Sequence, residues 1–286
     1  QEYDRIVEGI DKLPFLLPLF FPKLPVAGIV PHLLGETALS AAGLAGGALI
    51  RLGEALVPRV YRRTPLLPIS ASTRDELIAS GLPPENLRVV HYGHDASAAT
   101  LDGNAAPATF LYVGRLRRYK SLDIVLRAFA KLVETIPAAR LVIAGTGDDR
   151  KRLEALALKL GLGTVVRFPG SVSEKAKAAL MREATALLYP SRREGWGLSV
   201  IEAGACGTPT IAAAVPGLRD AVEDGQSGLL APWGDVAAWE AAMARLIASP
   251  AERNRLGQGA LERSRTFSWE KTAREMAEAL TAASRS

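Results

Sequence analysis

Short apolar runs alternate with longer stretches of helical periodicity along most of the chain. In its first third the pattern predicts strands at 26–30, 65–70 and 87–90, and helices at 38–60 and 72–80. Ser72, followed by acidic residues, is the predicted N-cap of the second helix. Strands that alternate with helices in this way are typical of a parallel sheet covered by helices, so we predict an α/β fold.

The same alternation resumes after residues 96–108, a stretch of small and turn-forming residues that we interpret as a domain boundary. Further strands are predicted at 109–116, 139–149, 164–173 and 184–190, each followed by a helix. With 286 residues, of which 48% are hydrophobic, the chain is long and apolar enough for two ordinary domains.

Two carboxylates, Glu194 and Glu202, stand eight residues apart after one of these strands. A solvated helix face also explains such a pair, because charged side chains are mostly exposed. Gly195 and Gly197 disfavour a continuous helix, and the helical spacing of apolar residues begins only at Leu198. The predicted order is strand, glycine-rich loop and helix, which presents backbone N–H groups to an anion at the helix N-terminus.

A basic cluster follows the predicted strand at 109–116 and runs from Arg115 to Lys120. It is either a solvated loop or a phosphate site. Its place at the carboxyl end of a strand favours the phosphate site, because open α/β sheets bind ligands there. Gly145 and Gly170 also end predicted strands, where a tight turn and the close approach of a nucleoside explain a glycine equally well.

Other chemistry-bearing residues have more ordinary interpretations. His32 comes just after the strand at 26–30, and a lone histidine there is more often a structural hydrogen-bonding residue than a functional one. Asp148 and Asp149 are interpreted as helix N-cap residues, because no third ligand accompanies them to hold a metal ion. Cys206, the single cysteine, excludes an intrachain disulfide and is interpreted as a core residue in a reducing compartment.

The formal net charge is +5, which fits an anionic ligand or an anionic membrane surface. No basic run with interleaved aromatic residues indicates a nucleic acid partner. Residues 13–30 are strongly apolar, but four prolines and a lysine within them disfavour a membrane-spanning helix. We find no signal-peptide pattern.

The region around the two carboxylates resembles the signature of retaining glycosyltransferase family four, whose members have the GT-B fold and use nucleotide-sugar donors. The matching residues are Pro190, Ser191, Glu194, Gly195, Trp196, Gly197, Glu202, Ala203, Gly207 and Pro209. The resemblance implies that Glu194 contacts the donor sugar, that Glu202 contacts the ribose and that His32 lies near the donor sugar. It also implies that Arg115 and Lys120 hold the diphosphate, although Ser121 stands where the family usually has glycine.

The other donor-binding residues that the resemblance implies are Gly114, Gly145, Gly170, Ser171, Val172, Gly195, Trp196, Gly197 and Leu198. Base recognition is expected near Gly170–Val172. The expected reaction moves a sugar to an acceptor hydroxyl with retention, the acceptor being a sugar, a lipid or another hydroxyl compound. No metal and no cofactor are expected, since the nucleotide diphosphate sugar is a substrate.

The resemblance further implies two Rossmann-like parallel-sheet domains, of which the N-terminal one is incomplete. The predicted parts are a partial acceptor-side domain at 1–98, a nucleotide-sugar-binding domain at 99–266 and, at 267–286, a terminal helix that crosses back to the first domain. The opening strand and glycine-rich acceptor loop of the family have no counterpart before Gln1. We therefore expect the polypeptide to be one half of a split enzyme, or a fragment, and to act with a second chain that supplies the rest of the first domain. The expected location is cytoplasmic, with peripheral contact to the inner face of the membrane left open.

Two alternatives remain at this point. The chain is a nucleotide-sugar-binding module or subunit that needs a second chain for catalysis, or it is a phosphorylase-like enzyme of the same architecture. The second alternative predicts a pyridoxal cofactor bound to a lysine.

Overall fold

A computed structural model describes residues 5–95 and 108–282, except the side chains of 40, 41 and 282. The predicted domain boundary at 98/99 lies outside the described residues. The chain divides into two compact units. Unit 1 comprises the residues up to Gly93, the short segment Arg193–Trp196 and the residues from Phe267 on, and unit 2 comprises His94–Arg192 and Gly197–Thr266.

The strands are β1 (Ile6–Gly9), β2 (Val26–Val30), β3 (Leu66–Pro68), β4 (Thr109–Val113), β5 (Arg140–Ala144), β6 (Val166–Gly170), β7 (Ala186–Tyr189), β8 (Thr210–Ala213) and β9 (Gly228–Ala231). The helices are α1 (Leu17–Phe20), α2 (Ala38–Val60), α3 (Ala71–Ala79), α4 (Leu122–Thr135), α5 (Arg150–Lys159), α6 (Glu174–Glu183), α7 (Leu198–Ala205), α8 (Leu218–Ala221), α9 (Val236–Ala248), α10 (Pro250–Ser264) and α11 (Trp269–Ala282). The prediction of an α/β fold with two parallel sheets is confirmed.

Unit 1 contains a parallel sheet in the order β1-β2-β3. Its core is formed by Val30 and Leu66 on the sheet, Val57 and Leu77 on the covering helices, and Tyr61 at the C-cap of α2. The terminal helix α11 belongs to this unit, and a small apolar cluster joins it to β2 and β3.

The sequence-based strand assignment in unit 1 was wrong in two places. Residues 87–90 do not form a strand, because their bonds to β3 are confined to one bridge at Leu87 and two backbone hydrogen bonds. The strand β1 was missed, because its four residues include a carboxylate, Glu8. Glu8 is 2% exposed, and the Tyr61 hydroxyl donates a hydrogen bond of 2.7 Å to its Oε1. A partnered carboxylate of this kind is tolerated inside a sheet.

Two helix caps also differ from expectation. Ser70, not Ser72, is the N-cap of α3, and its hydroxyl accepts a hydrogen bond from the Thr73 N–H. Asp149 occupies the N-cap position of α5, but its carboxylate makes no capping hydrogen bond. It accepts two hydrogen bonds of 2.6 Å from Arg152 instead, so the ion pair takes the place of the predicted cap.

Unit 2 contains a parallel sheet in the order β6-β5-β4-β7-β8-β9. The chain proceeds from β4 towards one edge, then returns to the other side of β4 and proceeds towards the opposite edge. The direction of winding therefore reverses between β4 and β7. Open α/β sheets bind ligands at such a point, outside the carboxyl ends of the strands.

Within the described residues, none of the helices combines the length and the apolar character that crossing a membrane requires.

Candidate functional site

The loops that follow β4 and β7 are joined directly at the switch point of unit 2. The backbone N–H of Arg192 donates a hydrogen bond of 2.9 Å to the carbonyl oxygen of Tyr119. The Lys120 ammonium lies 5.2 Å from the centroid of the Tyr189 ring, at the end of β7. Lys120 is 6% exposed, so its charge is held in a largely desolvated place where an anion is bound more strongly than at the surface.

Arg115 lies in the same loop but differs from Lys120 in exposure. Its side chain is exposed, and its guanidinium is 3.5 Å from the Tyr119 hydroxyl. The structure thus brings together the two predicted phosphate ligands on one loop, one buried and one facing solvent.

In the turn into α4, Ser121 stands where the resembling family usually has glycine. Ser121 has φ 54° and ψ 34°, which is the left-handed region that favours glycine. Its hydroxyl makes no capping bond to α4 but accepts a hydrogen bond of 3.1 Å from the Trp233 indole. The turn into α4 is therefore formed, with a strained serine in it.

Close backbone packing accounts for the two glycines that follow β5. A Cβ at Gly145 would lie 1.9 Å from the carbonyl oxygen of Gly114, and one at Gly147 would lie 2.0 Å from that of Leu116. Contact between loops, which the sequence did not suggest, is thus a further reason for glycine at these positions, beside the tight turn and the nucleoside approach that the sequence left open. Gly170 ends β6 with φ 82°, beside the Arg150 guanidinium.

Helix α7 carries Glu202, and its N-cap is Gly197, whose φ of 78° again lies in the left-handed region. The carboxylate of Glu202 accepts a hydrogen bond of 3.0 Å from the Lys177 ammonium on α6. Burial works to lower the pKa of Lys177, but its bonds to Glu174 and Glu202 outweigh burial and raise the pKa above its usual value. The protonated lysine therefore keeps a positive charge beside Glu202.

Sequence reasoning missed Lys177. The only local signal was its position on a helix that follows β6, and nothing in the sequence pairs it with a carboxylate 25 residues away.

In unit 1, the segment Arg193–Trp196 lies on the loop that follows β2. A Cβ at Gly195 would lie 2.2 Å from the carbonyl oxygen of Pro31 and 3.2 Å from the Cβ of His32. The two candidate residues His32 and Glu194 therefore belong to adjoining loops of the same unit. The predicted set is divided by the fold. His32, Glu194, Gly195 and Trp196 group with unit 1, and the other predicted site residues group with unit 2.

Trp196 is 3% exposed and fixes the end of this segment. Its ring stacks on His91 with centroids 4.3 Å apart, and Phe267 contacts it edge-on at 4.8 Å. His91 also donates a hydrogen bond of 2.9 Å from Nδ1 to the Ile69 carbonyl oxygen. Trp196 thus packs against His91 and Phe267 in unit 1, and its predicted place in the donor site stays a prediction.

Residues 5–95 and 108–282 contain no group of three or more His, Cys, Asp or Glu side chains arranged to hold a metal ion. Cys206 is buried, and burial raises the pKa of its thiol, as is typical of an unreactive core cysteine.

Comparison with known proteins gives consistent results for sequence and structure. Residues 98–263 match the family described as glycosyl transferases group 1. The D-inositol 3-phosphate glycosyltransferase of a Nocardioides species is 39% identical over 217 residues, a match that covers 67% of this chain and 47% of that protein. The enzyme of the same description from Thermomonospora curvata is 41% identical over 182 residues, covering 60% of this chain and 42% of that protein. The chain thus spans about half the length of these relatives.

Among solved structures, Anabaena HepE in complex with UDP and glucose superposes with a TM-score of 0.80 at 20% identity, covering 93% of this chain and 74% of that chain. Sucrose-phosphate synthase from Thermosynechococcus elongatus superposes with a TM-score of 0.79 at 24% identity, covering 96% and 72%. These similarities show the fold, which is of the GT-B type.

Proposed function

The chain belongs to the family of glycosyl transferases group 1, and on that premise we propose that it takes part in moving a sugar from a nucleotide diphosphate sugar to an acceptor hydroxyl, with retention at the anomeric carbon. The observation that supports this function best is the switch point of unit 2. There the desolvated ammonium of Lys120 lies at the carboxyl ends of β4 and β7. A diphosphate is the kind of anion that such a place binds.

In the proposed reaction, the bond between the anomeric carbon and a diphosphate oxygen breaks while the acceptor oxygen attacks from the same face. The proton of the acceptor hydroxyl passes to the departing diphosphate oxygen. Negative charge develops on the diphosphate, and Lys120, Arg115 and the backbone N–H groups at the start of α7 stabilise it. Because these groups supply the stabilisation, the proposed reaction needs no metal and no cofactor.

Glu202 is proposed to accept hydrogen bonds from the ribose hydroxyls, and Lys177 orients its carboxylate. Gly170, Ser171 and Val172 are proposed to lie against the base. Glu194 and His32, which lie on adjoining loops of unit 1, are proposed to contact the donor sugar.

A second chain is proposed to complete unit 1. The support is that unit 1 exposes apolar side chains that a folded unit normally buries, with Phe15 72% exposed, Phe20 67% and Leu44 83%. In addition, β1 forms an edge of the three-stranded sheet among the described residues. An unpaired strand edge beside apolar surface favours pairing with another polypeptide.

Contact with an anionic membrane surface is proposed for a different part of unit 1. A cavity of about 480 Å³ opens beside the amino ends of β2 and β3, and its lining combines apolar side chains such as Phe21 and Leu24 with Arg5, Arg59, Arg62 and Arg63. Guanidinium groups next to apolar side chains suit lipid phosphates at a bilayer surface. The proposed location is accordingly the cytoplasm, at the inner face of the membrane.

The proposed function is tested by binding and transfer assays on three variants. Calorimetry with UDP and GDP should show that Lys120→Ala and Glu202→Gln weaken binding of the preferred nucleotide, by about ten- to a hundredfold for the charge-assisted contact of Lys120. Glu194→Gln should keep nucleotide affinity but abolish transfer, with excess EDTA present throughout. Lys131→Ala, on the exposed side of α4, is the matched control.

Three results separate the alternatives. Unchanged nucleotide affinity in both Lys120→Ala and Glu202→Gln would move the donor site elsewhere. Nucleotide-sugar binding without transfer, with or without a co-purified second chain, would favour a binding module. An absorbance band of bound pyridoxal would favour a phosphorylase-like enzyme.

A further inference from the structure

Both neighbours of Glu194 are fixed to the loop after β2. Arg193 donates from Nε to the carbonyl oxygen of Leu33, and Gly195 packs so closely that a Cβ there would lie 2.2 Å from the carbonyl oxygen of Pro31. Glu194 is therefore held from both sides against the loop that contains His32. Neither contact depends on the side chain of Glu194 itself.

Arg193 makes a second contact in a different direction. Its terminal nitrogen donates a hydrogen bond of 2.5 Å to Glu76 on α3, and the side chains of Arg193 and Glu76 are 22% and 29% exposed. The Arg193 guanidinium thus links the loop after β2, at the Leu33 carbonyl, to α3, at the Glu76 carboxylate. A planar fork with several donors can do this, whereas a lysine ammonium on a flexible stem cannot fix both directions.

The loop after β2 is also held by a carboxylate. Glu54 on α2 accepts hydrogen bonds from the backbone N–H groups of Leu34 and Gly35, the second at 2.9 Å. Arg193 thus binds a carbonyl group of this loop, and Glu54 binds its N–H groups. Such a loop has little freedom to move His32.

The charges around Arg193 also argue that it is more than a surface ion pair. Burial raises the pKa of Glu76, Arg193 opposes the increase, and the nearby charge of Glu54 adds to it. The carboxylates of Glu76 and Glu54 lie near each other. The Arg193 guanidinium binds Glu76 directly, and it also binds the loop after β2, to which Glu54 is hydrogen-bonded. Loss of Arg193 would leave a half-buried carboxylate and a backbone carbonyl without their donor.

We propose that Arg193 is a positioning residue, which holds Glu194 and His32 in one fixed arrangement and so sets the preference for a nucleotide sugar over the free nucleotide. The proposal rests on the proposed contact of Glu194 with the donor sugar. A solely structural role would instead change stability and leave that preference intact.

The test compares Arg193→Met and Arg193→Lys with Arg74→Met. Arg74 is on α3 of the same unit and pairs with the exposed Asp75, which makes it a matched control. Calorimetry measures the affinity of each protein for UDP and UDP-glucose and for GDP and GDP-mannose. Wild type should bind the nucleotide sugar of the preferred pair more tightly, and both Arg193 variants should reduce that ratio about five- to tenfold, the value of one hydrogen bond. Affinity for the free nucleotide should not change.

Arg193→Lys distinguishes positioning from stability. It keeps the charge beside Glu76 but loses the two-way fork, so it should retain most of the thermal stability without restoring the sugar preference. Full recovery of the preference by lysine, or an equal loss of nucleotide and nucleotide-sugar affinity in Arg193→Met, would overturn the proposal.

Hydrogen exchange separates failure of this proposal from failure of the proposed function. In Arg193→Met, amides of 32–35 and of 194–196 should exchange faster together, while amides of β2 keep their protection. If Glu194→Gln leaves the sugar preference unchanged, the role of Glu194 is wrong, and exchange alone then decides whether Arg193 fixes the two loops. Unchanged exchange in both segments would overturn the inference whatever the binding data show.

Discussion

In unit 2 the loop at the carboxyl end of β4 combines close backbone packing with ion pairs at the surface, such as that of Arg117 with Asp148, whereas in unit 1 the loop at the carboxyl end of β2 is held by half-buried ionised side chains. Gly114 and Gly145 bring two loops of unit 2 into direct contact, and the aromatic ring of Tyr189 lies beside Lys120. In unit 1, Glu54 and Arg193 bind opposite groups of a single loop. The stability of a closely packed region changes mainly when side-chain volume changes, whereas that of a charged network changes when a partner is lost or when the pH changes. The two units should therefore fail under different changes.

A pair of buried tyrosines gives the largest expected difference. Tyr61 in unit 1 donates to the carboxylate of Glu8 at 2.7 Å, and Tyr112 in unit 2 donates to the backbone carbonyl of Arg115 at 2.9 Å. Burial, reinforced by Glu8, raises the pKa of Tyr61 far above its usual range, so the hydroxyl stays protonated and remains a donor. Tyr61→Phe should cost about 1.5–3 kcal/mol and Tyr112→Phe about 0.5–1.5 kcal/mol, because bonds to charged acceptors are stronger.

Urea denaturation, monitored by amide exchange in β2 for unit 1 and in β4 for unit 2, measures the two losses of stability separately. Equal losses in the two variants would mean that the hydrogen bond to the Glu8 carboxylate stabilises the protein no more than a bond to a neutral carbonyl. The proposed difference between the two units would then be absent at the tyrosine pair, where it is expected to be largest.

The tyrosine pair also shows where sequence reasoning stops. Strands such as β2 and β4 were predictable because their apolar runs end in turn residues, and α2 and α4 were predictable from their period. The strand β1 was not, because Glu8 breaks its apolar pattern and its partner, Tyr61, is 53 residues away. Hydrophobic periodicity contains no information on which polar residue meets which in three dimensions.

The candidate site divides in the same way. The glycine-rich loop, the basic cluster and the two carboxylates were recognised from local spacing, and their roles remain predictions. Lys177 beside Glu202, and Glu76 beside Arg193, are contacts across 25 and 117 residues that only the fold creates. The strain at Ser121 was only hinted at, by the residue that it replaces.

Ser121 provides a smaller test, confined to unit 2. Replacement by glycine removes a left-handed conformation that costs a non-glycine residue about 1–2 kcal/mol, but it also removes the acceptor of the Trp233 indole. Trp233 is 42% exposed, so water can replace that acceptor. Ser121→Gly should therefore stabilise the protein by about 0.5–1 kcal/mol in denaturant titrations.

Ser173 is the matched control for this prediction, because it too is a serine at a helix N-cap. It has φ −68°, and its hydroxyl accepts a hydrogen bond from the Ala176 N–H. Ser173→Gly should destabilise the protein by a few tenths of a kcal/mol. Effects of the same sign in both variants would show that strain at Ser121 is not what distinguishes them.

The smallest expected effect is the pH dependence of unit 1 through Glu76. Burial raises the pKa of this carboxyl above its usual 4.5. Arg193 opposes the increase but does not cancel it, so the pKa remains raised. A carboxyl with a raised pKa binds its proton more tightly in the folded chain than in the unfolded chain. Its contribution to stability is therefore complete at low pH and is lost as the pH rises through the folded value.

Glu76→Gln removes this titration while keeping a hydrogen-bond acceptor for Arg193. The stability of wild type relative to Glu76→Gln, measured by amide exchange in β2 between about pH 4 and pH 7, should therefore fall as the pH rises. A difference that grows with pH would show that the ion pair with Arg193 outweighs burial. The ion pair between Glu76 and Arg193 would then stabilise unit 1 at neutral pH, and unit 1 would still respond to pH, but with the opposite sign.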